Sequence, residues 1–161
     1  MLDRAVIDAL FPADLPEPAH WEQRYPQRQL PDGAEVTRLG PSPTGWLHIG
    51  ALYVASINRD VAHRTGGKYL VRIEDTDQAR ELEGAVEQFQ RAFEYFGLPA
   101  DETGDVGDYG PYLQSAREQI YLTYARELLR EGKAYLCFAT EAELGEIRRR
   151  QDASKDRKSV V

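Results

Sequence analysis

The chain has 161 residues, 42% hydrophobic and 29% charged, with a formal net charge of −7. That length fits one domain, or one and part of a second, and suffices to bury a core. No run approaches the roughly twenty apolar residues of a membrane span, so no membrane role is expected. The first residues lack the basic stretch and apolar block of a secretory signal, so a cytoplasmic location is expected. The single cysteine, Cys137, excludes an internal disulfide and cannot build a zinc site without several partners. A charge of −7 has the wrong sign for non-specific nucleic-acid binding. The basic residues are uneven, however: Arg148, Arg149, Arg150, Lys155, Arg157 and Lys158 crowd the C-terminal end, interrupted by Asp152 and Asp156. They read as a solvated helix end and basic tail, or as an RNA contact.

Residues 1–34 form an extension. Asp3 is placed to cap a short helix reaching Ala9 or Leu10, with Ala5, Val6, Ala9 and Leu10 as its apolar set. Pro12, Pro16, Pro18, Pro26 and Pro31 then predict an extended segment on the surface. Trp21 and Tyr25, four residues apart, read as anchors pinning it to the domain; a stacking platform for a base is the alternative.

Residues 35–113 carry the chemistry. Val36 to Leu39 predicts a strand, Gly40 to Leu47 a loop, and Ile49 to Ala62 a helix with Leu52, Ala55 and Ala62 on one face. A strand feeding a rigid loop and a helix N-terminus presents backbone N–H groups to an anion. Pro41 and Pro43 stiffen the loop, Gly45 and Gly50 permit a turn or a close approach, and Ser42, Thr44 and His48 supply polar groups. Gly66-Gly67 stops the helix, Lys68 to Ile73 predicts a second strand, and Glu83 to Phe96 a helix ending at Gly97, with Val86, Phe89, Ala92, Phe93 and Phe96 as its apolar set. Strand, helix, strand, helix is the rhythm of a parallel α/β sheet, here a partial Rossmann-type nucleotide-binding fold. Ligands sit beyond the carboxyl ends of such strands, so the two polar strand ends are expected to converge on one pocket.

Residues 114–161 read as the start of an α+β insertion. Ser115 with Glu118 is a capping box opening a helix to about Arg130, with Ile120, Tyr124 and Leu128 inward. Gly132 stops it, Ala134 to Phe138 predicts a short strand, and Thr140 with Glu143 caps a helix through about Gln151.

Three ordered strings carry a resemblance. Arg38, Pro41-Ser42-Pro43-Thr44-Gly45 and His48-Ile49-Gly50 match the first catalytic signature of the glutamyl-tRNA synthetases, which are class I aminoacyl-tRNA synthetases. Arg72-Ile73-Glu74-Asp75-Thr76-Asp77 follows, then Tyr109-Gly110-Pro111-Tyr112 running into Gln114-Ser115 and Gly132-Lys133-Ala134-Tyr135. Gly40 departs from the usual Ala of that signature, loosening the strand end, and Ala51 stands at a position where small residues are common in the family. The Ser-Pro-Thr-Gly and Ile-Glu-Asp-Thr-Asp strings favour glutamate over glutamine.

The resemblance implies ATP-dependent ligation of L-glutamate to the 3′ end of tRNA(Glu) through a glutamyl-adenylate. It makes Arg38, Ser42 and Glu74 the glutamate ligands, and Pro43, Thr44, Gly45, His48, Gly50 and Ala51 the ATP site. His48 and Gly50 are then the catalytic positions, at the phosphates and the adenine face, with Mg²⁺ accompanying the ATP. Arg38 has the planar fork for a carboxylate, and Glu74 suits an ammonium. No metal ligand set is expected, nor zinc, because Phe138-Ala139 follows Cys137 where some relatives have a second thiol. Taken singly, Arg38 also reads as an ion-pair residue with Asp75 or Asp77 as partner. Glu74 to Asp77 alone reads as an acidic turn or weak metal site, and His48 as a satisfied loop histidine.

The resemblance also covers only the first part of such an enzyme: 35–113 as half of the catalytic domain and 114–161 as the beginning of the tRNA-acceptor insertion. The second catalytic half, the Lys-Met-Ser-Lys-Ser loop and the anticodon domain find no counterpart. The resemblance of Lys155-Asp156-Arg157-Lys158-Ser159 to that loop reads as chance. A fragment unable to complete the reaction alone is the expectation, with dimerisation or poor solubility from unpaired sheet edges. The rival readings are a short synthetase-like enzyme that glutamylates a modified base of tRNA(Asp), and a non-catalytic ligand- or RNA-binding module.

Overall fold

The computed structural model describes residues 3–154. Strands β1 (Val36–Leu39) and β2 (Lys68–Val71) pair in parallel, with Arg38 opposite Leu70 and Leu39 opposite Val71. Their ladder runs past both ends: the Arg72 N–H donates to Leu39 O at 3.0 Å, and the Glu74 N–H to Pro41 O at 2.9 Å. On its other side β2 is held by later chain. The Val71 N–H donates to Glu102 O at 3.0 Å and the Ile73 N–H to Tyr112 O at 2.9 Å. The expected strand to Ile73 is shorter by name, because only an isolated bridge, Ile73 with Leu113, continues it.

Helix α3 (Ile49–Arg64) crosses over between the strands and packs on both; α4 (Ala85–Tyr95) covers the same face. Residues two apart along a strand share a face. Leu39, Tyr69, Val71 and Ile73 accordingly point into one core with Ala55 and Ala62 of α3 and Ala85, Phe89 and Phe93 of α4. Alanines at the contact let α3 approach the sheet closely. Gly67 is fixed by a tighter constraint, since a Cβ there would fall 1.8 Å from the Glu35 carbonyl oxygen.

The N-terminal arm is more structured than its prolines suggested. Helix α1 (Arg4–Asp8) is capped as expected, Asp3 Oδ1 accepting the Ala5 N–H at 2.7 Å. The expected extended segment instead contains helix α2 (Pro18–Arg24), because Pro18 occupies the first turn, where a missing N–H breaks no helical bond. Trp21 and Tyr25 do anchor the arm. Trp21 Nε1 donates to Thr123 Oγ1 at 3.0 Å, the Tyr25 hydroxyl donates to Gly110 O, and Trp21, Tyr25 and Tyr109 stack in series.

The arm also reorients α5 (Glu118–Arg130). Ile120 is buried as expected, but Tyr124 and Leu128 are exposed, and Thr123, Arg126 and Leu129 face inward instead. The arm presents carbonyls and carboxylates to α5: Arg126 Nη2 donates to Pro16 O at 2.8 Å, and Arg130 reaches Asp8 and Glu17 at 2.7 Å each. Ser115 does not cap α5; it opens a 3₁₀ turn and spends its hydroxyl on Asp75. Residues 134–138 form no strand, having no partner strand among the described residues. The Thr140–Glu143 box does open α6 (Glu141–Ser154): Glu143 Oε2 accepts the Thr140 N–H at 2.7 Å, and the Glu143 N–H returns to Thr140 Oγ1 at 3.3 Å. Lys155 to Ser159 lies outside the described residues. No helix among the described residues is long and apolar enough to cross a membrane.

Glu102 joins arm and sheet. It is 6% exposed and accepts a forked pair from Arg28, with Nη2 to Oε2 at 2.6 Å, and a bond from the Tyr112 hydroxyl at 2.6 Å. The Arg28 guanidinium, aided by Tyr112 and opposed by burial, holds the Glu102 carboxyl below its ordinary 4.5. A depressed carboxyl stabilises the fold above its unfolded value, and that stability is lost as pH falls through the folded value. In urea unfolding, Glu102→Gln should therefore be less stable than the native chain at neutral pH, with the gap closing as pH falls through the lowered value of the folded carboxyl. A gap that did not depend on pH would show that the charge of Glu102 contributes nothing.

Candidate functional site

The extended ladder delivers two side chains to one place. Arg38 lies one residue from the end of β1, and Glu74 three beyond the end of β2; the Glu74–Pro41 bond sets their stagger. Their side chains close into an ion pair, Arg38 Nη1 to Glu74 Oε1 at 2.5 Å, each about two-fifths exposed. The expected acidic partners of Arg38 are engaged elsewhere. Asp75 is 5% exposed and accepts both the N–H and the hydroxyl of Ser115, at 2.8 and 2.5 Å. Asp77 pairs with Arg80, whose guanidinium holds its carboxyl below the usual range.

Gly40 makes room for the Arg38–Glu74 pair. A Cβ there would lie 2.3 Å from Glu74 Oε1 and 2.8 Å from Arg38 Nη1. The missing methyl thus matters less for slack at the strand end than for the space above it.

The loop after β1 is braced at three points. Glu74 donates to Pro41 O, Leu82 donates to Pro43 O at 2.9 Å, and Gln88 of α4 accepts the Leu47 N–H at 3.1 Å. Pro43 is buried, while Ser42 is exposed with its Oγ 3.3 Å from Thr44 Oγ1. Nothing lies within 4 Å of a Cβ position at Gly45. No direct hydrogen bond joins Ser42 to Arg38 or Glu74 among the described residues.

His48 caps α3. Its backbone is extended, and Nδ1 accepts the Gly50 N–H at 3.2 Å. That bond assigns the ring proton to Nε2 in the neutral imidazole, leaving a donor on an exposed ring at a positive helix end. Ala51 follows in the first turn, its N–H turned back to His48 O at 3.0 Å. The site therefore offers a guanidinium, a carboxylate, two hydroxyls and an imidazole donor along the carboxyl edge of two parallel strands.

A cleft of about 560 Å³ lies elsewhere, on the α4 face among Phe89, Phe93, Val106 and Leu113; Arg38, Ser42, His48 and Glu74 do not line it. Among the described residues no group of three or more His, Cys, Asp or Glu is arranged to hold a metal. The sequence offered Asp75 as a partner for Arg38 and not for Ser115, and gave Gln88 no role. The partner of Asp75 lies forty residues away, and Gln88 is one polar residue on an amphipathic helix. Arg72 stood in a quoted string without a role, although its two-residue spacing from Glu74 places both on one strand face.

Comparison with known proteins identifies the family and the fold. The family of class I tRNA synthetases (E and Q), catalytic domain, matches residues 35–160, and the chain belongs to that family. It is 46% identical over 153 residues to the glutamate–tRNA ligase of Acetivibrio thermocellus, covering 92% of this chain and 28% of that protein. The glutamate–tRNA ligase of Gloeobacter violaceus is 49% identical over 135 residues, 83% of this chain and 26% of the relative. The crystal structure of the glutamate-tRNA synthetase from Elizabethkingia anophelis superposes with a TM-score of 0.67 at 38% identity, over 76% of this chain and 25% of that one. A glutamate tRNA ligase from Elizabethkingia meningosepticum, crystallised with its amino acid, gives 0.66 at 39% identity, over 78% and 25%. The fold is thus the Rossmann-type class I catalytic fold, and the chain spans about a quarter of the length of these proteins.

The double role of His48 can be separated. His48→Ala should cost roughly 0.5–1 kcal/mol of stability by removing the cap. His48→Asn should keep the cap and lose only the Nε2 donor. Thermal unfolding of the two variants distinguishes them; equal destabilisation would show that the Nδ1–Gly50 bond is not a cap.

Proposed function

We propose that this chain supplies the amino-acid and ATP half-site of a glutamate–tRNA ligase. Residues 35–113 are the first half of the catalytic domain, and 114–161 begin the insertion that receives the tRNA acceptor end. The observation that supports this most is the Arg38–Glu74 pair at the carboxyl ends of two adjacent parallel strands, beside a helix N-terminus capped by His48. An amino acid carries the complementary charges, its carboxylate for Arg38 and its ammonium for Glu74, with Ser42 as a further hydrogen-bonding group. ATP then lies along Pro43, Thr44, Gly45, His48, Gly50 and Ala51.

In the reaction the substrate α-carboxylate attacks the α-phosphorus of ATP, forming the mixed anhydride and releasing pyrophosphate. The carboxylate is already ionised at neutral pH, so no side chain need remove a proton. Positioning and charge stabilisation do the work. Arg38 and Glu74 orient the amino acid. The His48 Nε2–H and the α3 N-terminus meet the negative charge that grows on the phosphate oxygens. Mg²⁺ travels with the triphosphate, and no step by these residues runs through it. The ribose hydroxyl of the 3′-terminal adenosine of tRNA(Glu) then attacks the anhydride carbonyl, taking the glutamyl group and releasing AMP. On α6, Arg149 and Arg150 both close on Glu146 at 2.8 and 2.9 Å, which leaves Arg148 as the exposed cation there without an ion-pair partner among the described residues.

Calorimetric titration with a non-hydrolysable glutamyl-adenylate analogue tests the half-site. The native chain should bind, and Arg38→Ala should abolish binding. Retained affinity in Arg38→Ala would remove Arg38 from the site, and a native chain that did not bind at millimolar ligand would refute a preformed half-site.

A second reading concerns assembly. The outer face of α3 exposes Ile49 (79%), Tyr53 (68%) and Ile57 (46%), and the outer edge of β1 has no ladder partner among the described residues. Exposed apolar faces and open edges associate. Light scattering should show a concentration-dependent dimer that Ile57→Asp converts to monomer; a native chain monomeric at all concentrations would exclude it.

A further inference from the structure

The cleft of about 560 Å³ beside α4 takes no part in the site at the strand ends. Its floor is the core itself: Val71, Ile73, Phe89 and Phe93, all buried. Its walls are held without help from an occupant. On one side Thr103 and Val106 exchange both backbone hydrogen bonds, at 3.0 and 2.8 Å, in a tight turn that passes through Gly104 at a φ of 56°. On the other, the Ile73 N–H donates to Tyr112 O and the Gln114 N–H to Ile73 O, at 2.9 Å each, which fixes Pro111 to Leu113 along the strand. The Tyr112 hydroxyl proton is spent on Glu102, so that residue's ring is what it has left for a ligand. A preformed, concave and mostly apolar space of this size is the ordinary form of a small-molecule site.

The charges at its mouth have one sign. Glu94 of α4 and Asp105 of the turn are exposed, and neither has an ion-pair or hydrogen-bond partner among the described residues. The side chains of Gln90 and Thr103, also in the lining, are equally without partners there. No lysine, arginine or histidine among the described residues lines the cleft. Both carboxylates repel an anion, and a neutral molecule leaves them unused. A cation with an apolar body satisfies floor and mouth together, and aromatic rings favour it further.

We propose that this cleft is a second ligand site, one that takes a small organic cation, its apolar body against Phe89 and Phe93 and its ammonium group held at the mouth by Glu94 and Asp105. The inference stands apart from the amino-acid and ATP half-site and does not depend on it. Ile73 separates the two: it lies on the cleft floor, while its neighbours Arg72 and Glu74 turn to the opposite face of the strand.

The test uses the whole 161-residue chain, ¹⁵N-labelled, and three probes that share one phenylethyl body: 2-phenylethylammonium, 2-phenylethanol and 3-phenylpropionate. The ammonium should bind in the roughly millimolar range open to so small a ligand, at least about fivefold tighter than the alcohol, with the propionate weakest. Amide shifts should concentrate on residues 89–94 and 103–106. Glu94→Gln combined with Asp105→Asn, both at exposed positions, should bring the ammonium to within about twofold of the alcohol and leave the alcohol unchanged. Ala116→Trp, which fills the cleft from an exposed position in its lining, should abolish binding of both. Thermal unfolding checks that each variant folds, and the comparison of probes on the native chain needs no variant. Equal affinity for the three probes, tightest binding of the propionate, or no binding at tens of millimolar overturns the proposal. So does ammonium binding that survives Ala116→Trp. Binding lost in Glu74→Gln also overturns it, by placing the ammonium at the strand ends instead.

Discussion

The two-residue alternation of the Lys68–Glu74 segment is the constraint on which the rest depends. Tyr69, Val71 and Ile73 must enter the core under α3 and α4, so Leu70, Arg72 and Glu74 must turn away from it. A slip of one residue would bury an arginine and a glutamate and expose the core side chains. The core therefore specifies the register, and the register specifies which charges meet. The same ladder carries Pro41 to Glu74 and so fixes the start of the loop that leads to His48.

This arrangement couples packing to chemistry without sharing residues. Phe89 and Phe93 hold the sheet from below, and truncating either aromatic would cost about 3–5 kcal/mol by the usual core arithmetic. Nothing in that energy depends on the charged face above. Conversely, the exposed Arg38–Glu74 pair contributes little to stability by its position, since water screens it. The charged face is free to be specified by ligand chemistry while the buried face answers to the fold.

Local signals in the sequence were legible because their causes are local. The strand–loop–helix around Ser42 to His48, the Asp3 cap and the Thr140–Glu143 box each depend on neighbours within a few residues. What was not legible depended on partners far along the chain. The inward face of α5 follows the polarity of the arm, and an apolar periodicity cannot reveal that Arg126 will meet the carbonyl of Pro16. Ser115 and Glu118 satisfy a capping pattern, yet Asp75 competes for the serine and wins with two bonds. The segment 134–138 has strand-forming residues and no strand to pair with among the described residues. The partner of Arg38 depended on stagger between two strands and on a methyl group absent at Gly40. Of the candidate site, residue types and loop were visible in advance; their pairing was not.

The clasp between arm and α5 joins residues more than a hundred positions apart: Trp21 with Thr123, and Asp8 with Arg130. On the ribosome the arm emerges ahead of its docking surface, which does not exist until residues 118–130 have followed it out. Contacts of such sequence separation close late, because the loop between them must be ordered first. A segment made before α5 thus settles only after it, and it seals onto Gly110 and Glu102 beside the strands that carry the site. Docking of the arm therefore braces a sheet whose own strands were made long before α5.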